Sequence, residues 1–407
     1  MIRQNFILFS FSVLFLLLSP TVIAQYSKAN IFMLDDEYFT ESFSSKLDGK
    51  TVVAMGEATH GTHEFFELKK RMFRYLVAEK GFTVFALEAN YIECLPIDHY
   101  IKTGKGDPAH LLAKMMLWPW KTEEVLDLIL WMRTYNIKKN KPVLSFIGID
   151  PGNGIFLGIP HLSSYISEQQ PALADEWKNI VSIHDSIKTM EQRDACSGLV
   201  SSFASKVSDS CAVFILRIIV QNLSFYFKDA VDVYKVRDLH MAENLLSLKG
   251  REKAFVWAHN AHVNMDPSFF GNRWKDASRP DVKAMGFYLR QKLHDSVYII
   301  GFEFDHGSFL VNYFSEPQKK RVYKEISLSA AGQSTMSFQL KRISSKPFLI
   351  CSKDAPAFLN RLLPSDNYGG GDPGSERSLE LVNLVAAYDA IAFFPVTTPS
   401  RPLEGPL

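Results

Sequence analysis

The chain has 407 residues, 47% of them hydrophobic and 22% charged, with a formal net charge of +1. That length holds one large α/β domain or two smaller ones, with a sizeable core. The balanced charge leaves no basic excess to draw in nucleic acid or an anionic membrane, and no acidic tail. The expected partner is a small molecule.

The chain opens on Arg3 and an apolar run from Ile7 to Leu18 broken only by serines; Ser19-Pro20 end it and Val22-Ile23-Ala24 offer a small-residue cleavage site. This pattern predicts a secretory signal peptide over 1–24, a domain over 25–407 and an exported product, periplasmic or secreted. The run is shorter than the roughly 20 residues of a membrane-spanning helix, and no cysteine follows the site to carry a lipid. Stable membrane insertion after cleavage is therefore not expected.

Short β-branched or apolar runs then alternate with helical patterns. Residues 51–55, 82–87, 142–149, 254–258, 297–302 and 388–395 read as buried strands. Between the first two, Phe65, Phe66, Lys69, Met72, Phe73, Leu76 and Val77 fall on one face at helical spacing, and Gly81 is a natural stop. Strand, helix and strand in such close succession predict right-handed βαβ units. From about 157 to 250 the signals are helical, ending in one long helix over 229–250. The expected fold is α/β: a mostly parallel central sheet flanked by helices, with a helical insertion covering the cleft at the carboxyl ends of the strands. Residues 367–377, with three consecutive glycines, read as a loop. Of the four cysteines, Cys94, Cys196, Cys211 and Cys351, the pair Cys196–Cys211 is the favoured disulfide for an exported chain. None has the spacing of a cysteine-based zinc site.

The polar residues collect at one edge. Glu57, Glu88 and Asp150 close the first three strands, His259 and His262 follow the fourth, and Glu303 and Asp305 follow the fifth. In open α/β sheets that edge is where ligands bind. The segment GEATHGTHEFFELKKR (56–71) admits three readings. A phosphate loop would need a lysine and a hydroxyl residue after Gly61, where Thr62-His63 stand, and its acidic neighbours would repel phosphate. A metal site could draw on His60, His63, His259 and His262 with Glu57 or Glu88, but HEFFE (63–67) lacks the second histidine of the zinc-protease helix. The third reading is an acid–base pair: Glu57 fixes the tautomer of His60 and raises its basicity, so that His60 takes a proton from water. No G-x-S-x-G elbow occurs, which disfavours a serine nucleophile. Direct attack of water on an ester, lactone or similar bond is the chemistry this pattern predicts, with a second histidine or a carboxylic acid to protonate the leaving group. Plainer roles also stand: His63 capping its helix, Asp150 starting a turn before Pro151, and Arg71 pairing on a helix surface. Trp118 and Trp120 read as core or as the wall of an apolar cleft.

The stretch from Gly56 to Tyr91, together with GIDP (148–151), RDLHMAEN (237–244), WAHNAHV (257–263) and MGFYLRQKL (285–293), resembles the erythromycin esterase family. The resemblance runs from about residue 50 to 310. It implies hydrolysis of the macrolactone ring of 14-membered macrolides by histidine-activated water, with no cofactor. It places the family's catalytic histidine on His60, its partner glutamate on Glu57, a second essential glutamate on Glu88 and the two histidines of the later motif on His259 and His262. With the residue-level reading, the expected catalytic residues are His60, Glu57, Glu88 and His262, and the supporting or substrate-binding ones His259, Lys69, Arg71, Asp150 and His63. A family arginine falls on Lys69, which keeps the charge but loses the two-pronged guanidinium. Two other readings of the same residues stay open: a metal-dependent hydrolase, and an exported haem- or metal-binding protein without turnover.

Overall fold

Strand β2 (Val52–Met55) shows how the sheet is built. Side chains alternate across a strand, and here Val53 and Met55 enter one core while Val52 and Ala54 enter another. β5 (Lys253–Trp257) repeats the division, with Phe255 and Trp257 on the first face and Ala254 and Val256 on the second. In β5 the first face thus carries large aromatic rings and the second small aliphatic groups. The structure, a computed structural model, describes residues 31–274, 282–369 and 377–403. The predicted signal peptide (1–24) lies outside these residues, as do positions 370–376 of the predicted loop.

Among the described residues the central sheet has nine strands. The others are β1 (Ile31–Met33), β3 (Phe82–Asn90), β4 (Ser145–Asp150), β6 (Val297–Ser315), β7 (Lys320–Leu328), β8 (Phe348–Cys351) and β11 (Ala390–Thr397). Their order is β1-β8-β11-β6-β2-β5-β3-β4, with β7 added to β6. The six strands from β11 to β4 are all parallel, and β1, β7 and β8 join antiparallel. The sheet is thus mostly parallel, as the alternation of strand and helix implies. A separate hairpin pairs β9 (Leu363–Asp366) with β10 (Leu379–Val382).

Helices cover both faces. α1 (Phe39–Phe43), α2 (His63–Glu79), α3 (Tyr91–Thr103), α4 (Pro108–Ala113) and α5 (Glu123–Lys138) precede β4. Phe66, Phe73 and Leu76 of α2 pack into the core on the first face. Between β4 and β5 the chain forms α6 (Gly154–Gln169), α7 (Ala174–Asp185), α8 (Met190–Ala204), α9 (Ser210–Leu223) and α10 (Ala230–Lys249). This segment carries its own core, including Leu162, Ile166, Phe203 and Ile215. The end of α10 leaves it, and Met241 and Leu245 join the core on the second face of the sheet. Among the described residues no helix is long and apolar enough to cross a membrane.

Three expectations are corrected. All four cysteines are free. The Cys211 thiol turns to the Tyr91 hydroxyl, 3.6 Å away, and Cys196 is buried among apolar side chains of the helical segment. Burial pushes both thiols up, toward the protonated form. The third strand starts at Ser145 and not at 142, because the amides of Val143 and Leu144 donate to the side-chain oxygen of Asn136 at 2.9 and 2.8 Å. The fifth strand does not stop at 302: β6 runs on to Ser315 as one arm of a long hairpin with β7.

Candidate active site

The turn after β2 is held from every side by backbone. Gly56 N–H donates to Ile300 O at 2.8 Å, and Asn260 N–H donates to Glu57 O at 2.9 Å. A Cβ at Gly56 would lie 2.2 Å from Asn260 Oδ1, and one at Gly61 would lie 2.0 Å from Leu310 O, so both positions require glycine. The Thr59 and Thr62 hydroxyls lie 2.6 Å apart and clasp the turn. The amides of Gly61 and His63 are spent on Thr59 Oγ1 and Thr398 O. A phosphate cradle needs such amides free for its anion, so the glycine spacing here serves close packing.

That turn presents His60. Its Nδ1 lies 2.6 Å from Glu57 Oε1, and because a carboxylate only accepts, Nδ1 carries the proton and Nε2 is left as the basic nitrogen. Glu57 is fully buried. Its second oxygen accepts from Trp257 Nε1 at 2.8 Å and from the buried Lys69 Nζ. The His60 side chain keeps 15% exposure, its ring edge-on to Trp120 and 4.7 Å from the ring of His259. Trp118 and Trp120 are both buried.

Beside this dyad lies a network of alternating charges. Arg237, from α10, donates Nε and Nη2 to the two oxygens of Asp150 at 3.0 and 2.7 Å, and Nη2 also reaches Glu88 Oε1 at 3.0 Å. His262 places Nε2 3.1 Å from Glu88 Oε1 and Nδ1 2.9 Å from Asp238 Oδ1. The other Glu88 oxygen accepts the His259 amide at 2.8 Å. Burial by itself would push Glu88 up, but the His262 and Arg237 cations offset it and hold the carboxyl well below the usual range. Burial works against charge on His262 too, and Arg237 Nη1, 3.0 Å from Nε2, adds to that; Asp238 and Glu88 prevail and raise the imidazole to about 10. His262 is thus a buried cation between two carboxylates.

Several expected roles change. His262 is only 5% exposed with both nitrogens committed, so it is not a free base at the cleft. His259 is a satisfied buried histidine: Nε2 donates to Tyr368 O at 3.0 Å and Nδ1 accepts the Ala261 amide. Lys69 is buried beneath Glu57 and supports the dyad from behind, out of reach of a substrate. Arg71 lies away from the site, where it donates to the carbonyls of Leu34, Asp36 and Glu37 and pins the first described segment to α2. His63 is the first residue of α2 and not its cap; its Nδ1 lies 2.6 Å from the buried Glu124 of α5, outside both groups. Asp150 begins a turn, accepting the Gly152 amide at 2.8 Å, and also anchors Arg237. Glu303 lies within β6 and faces Asp366 of β9, while Asp305 pairs with Lys341.

Arg237 and Asp238 open the motif RDLHMAEN (237–244), but the sequence reading gave neither a role. That motif was their signal, and the fold turns both inward. Among the described residues no group of three or more histidine, cysteine, aspartate or glutamate side chains is arranged to hold a metal ion. What the arrangement can do is accept a proton at Nε2 of the partly exposed His60, beside a charged wall.

Comparison with known proteins bears on the family and the fold. A family model described as erythromycin esterase matches residues 77–397, a stretch that begins near the end of α2, past Glu57 and His60. The chain is 25% identical over 348 residues, 72% of its length and 82% of the relative's, to erythromycin esterase type II of Escherichia coli. Its fold resembles that of a solved succinoglycan biosynthesis protein, with a TM-score of 0.75 at 21% identity, covering 94% of this chain and 98% of that one. It also resembles a mutant of the erythromycin esterase EreC in its open conformation, with a TM-score of 0.65 at 18% identity, covering 89% and 95%. At these identities the two structures speak for the fold alone.

Proposed function

The chain belongs to the erythromycin esterase family, and on that premise we propose that His60 activates a water molecule for attack on an ester or lactone carbonyl. Membership carries hydrolase activity on such bonds; the assignment of the step to His60 rests on one observation. It is that His60, partly exposed and 4.7 Å from the His259 ring beside the charged network, has its Nδ1 tied to the buried Glu57, which leaves Nε2 as a proton acceptor; His63 and His306 pair in the same way with Glu124 and Asp305, but outside that network.

The step follows from that tautomer. Nε2 takes a proton as the water oxygen bonds to the carbonyl carbon, and Glu57 stabilises the imidazolium that forms. The tetrahedral intermediate then collapses, the carbon–oxygen bond to the leaving alcohol breaks, and the proton passes from Nε2 to that alkoxide. Glu88 fixes the wall of the site, since it holds the His259 amide, Arg237 and His262 together. Arg237 keeps 18% of its side chain exposed and brings positive charge to the rim. The substrate class we propose is the macrolactone of 14-membered macrolides such as erythromycin, on the strength of the Escherichia coli relative's activity. Export through the segment 1–24 is part of the same proposal and rests on the sequence pattern.

The test is mass spectrometry of erythromycin incubated with the EDTA-treated protein and with its His60→Ala variant. Wild type should add the mass of one water, and the variant should be slower by roughly 10²–10⁴-fold, the contribution of a general base. Equal turnover by the two proteins overturns the assignment. Added metal that restores turnover to an otherwise inactive EDTA-treated wild type would direct the reading to metal-dependent hydrolysis.

A further inference from the structure

The group behind Glu57 is a lysine with nowhere else to place its charge. Lys69 Nζ is fully buried and meets Glu57 Oε2, the oxygen that also accepts the Trp257 indole. Around the ammonium stand the rings of Trp257, Phe302 and Phe66, at 4.4, 5.3 and 5.8 Å. The facing charged groups are Glu57, on the turn before α2, and more distantly Glu88, on β3. His60 reaches this cluster only through the other oxygen of Glu57.

A lone carboxylate against an imidazole favours the imidazolium. Here the carboxylate is neutralised from its far side before it acts on His60. We infer that Lys69 is a positioning residue that restrains the dyad: by countering the charge of Glu57 it keeps His60 free to accept a proton in neutral solution, and it releases that restraint when it loses its own proton. The inference rests on the proposed role of His60.

Lysine makes the restraint reversible, which arginine could not. An arginine stays charged throughout the working range, whereas a buried lysine can titrate. Burial pulls the Lys69 ammonium down to about 8, although Glu57 and Glu88 hold it up. Below that pH Glu57 and Lys69 together are neutral. Above it the whole charge of Glu57 falls on His60, whose proton affinity rises.

The experiment follows the His60 ring proton by NMR across pH in protein labelled at histidine, with the resonance assigned from His60→Ala. It needs no substrate. In Lys69→Met, His60 should hold its proton about tenfold more tightly than in wild type, the effect of removing one opposing charge nearby. In wild type the signal should show a second inflection near the Lys69 titration, and Lys69→Arg should abolish it while leaving the main midpoint in place. An unchanged midpoint in folded Lys69→Met, or the same second inflection in Lys69→Arg, overturns the inference. Should Lys69→Met fail to fold, the Lys69→Arg comparison decides alone. Failure of the hydrolytic reading is distinct: His60→Ala would then match wild type on erythromycin, whatever the ring proton shows.

Discussion

Replacing Arg237 with methionine isolates the charged wall from the dyad. The side chain is close in length, so packing changes little, but Asp150 loses two hydrogen bonds and Glu88 one. Breaking a buried pair from one side strands the other charge and costs about 3–5 kcal/mol. Urea denaturation should show a loss of that order, and a change within about 1 kcal/mol would mean that Arg237 carries little of the structure. The same residue shows where sequence reading stops at this scale. Glu57 and His60 are three positions apart on a glycine-bounded turn, and their pairing is legible because it is local. Arg237 meets partners 149 and 87 positions away, and nothing short of the folded sheet brings them together. His262 was legible as a polar residue at the sheet edge. Its charge was not, because that depends on Asp238 and Glu88 closing over it from α10 and β3.

At the scale of elements, α2 is aimed by a contact that only glycine permits. The Gly61 carbonyl accepts the amides of Leu310 and Ser400, each at 2.9 Å, where the turn passes against β6. Its missing side chain leaves room for the Leu310 carbonyl, which a Cβ would meet at 2.0 Å. Backbone cannot yield as a flexible side chain does, so Gly61→Ala should cost about 1–3 kcal/mol by overpacking. It should also displace His60 and reduce hydrolysis. Gly198→Ala is the control: it lies in α8 with nothing near the added carbon. Alanine there should be neutral or stabilise by up to about 1 kcal/mol. Thermal denaturation of the two variants side by side checks both, and equal melting points would refute the role given to Gly61. The central strands and α2 were legible because each repeats its own period in one short window. The reach of β6 was not, since Glu303 and Asp305 read as the polar end of a strand. In the fold Asp305 is buried, accepting from Lys341, from the Ala331 amide and from His306, so the strand continues through them to Ser315.

For the whole molecule, the order of strands and the joining of the two sheets depend on contacts that no local pattern encodes. The small hairpin is tied to the large sheet at one buried carboxyl pair. Glu303 of β6 accepts the amide of Asp366 at 3.3 Å and the hydroxyl of Ser365, both in β9, while Arg377 Nη1 pairs with Asp366 at 2.5 Å. Burial, and then the Asp366 charge, push Glu303 well above the usual carboxylate range, so in the folded chain it keeps its proton. In the unfolded chain it loses that proton above about pH 4.5. The folded state therefore binds one proton more, and stability falls as pH rises from there toward the raised folded value, by about 1.4 kcal/mol per pH unit. In Glu303→Gln the amide oxygen still accepts from Ser365 and the amide nitrogen can donate to the Asp366 carboxylate, at the loss of the long 3.3 Å contact with the Asp366 N–H, and the side chain has no proton to lose. The variant should gain stability over wild type along that slope, with the two nearly equal at pH 4.5 and well separated by pH 7. Denaturant titrations across this interval decide the matter. A difference that stays constant with pH would mean that Glu303 is ionised in the folded chain, with Arg377 neutralising both carboxylates where the two sheets meet.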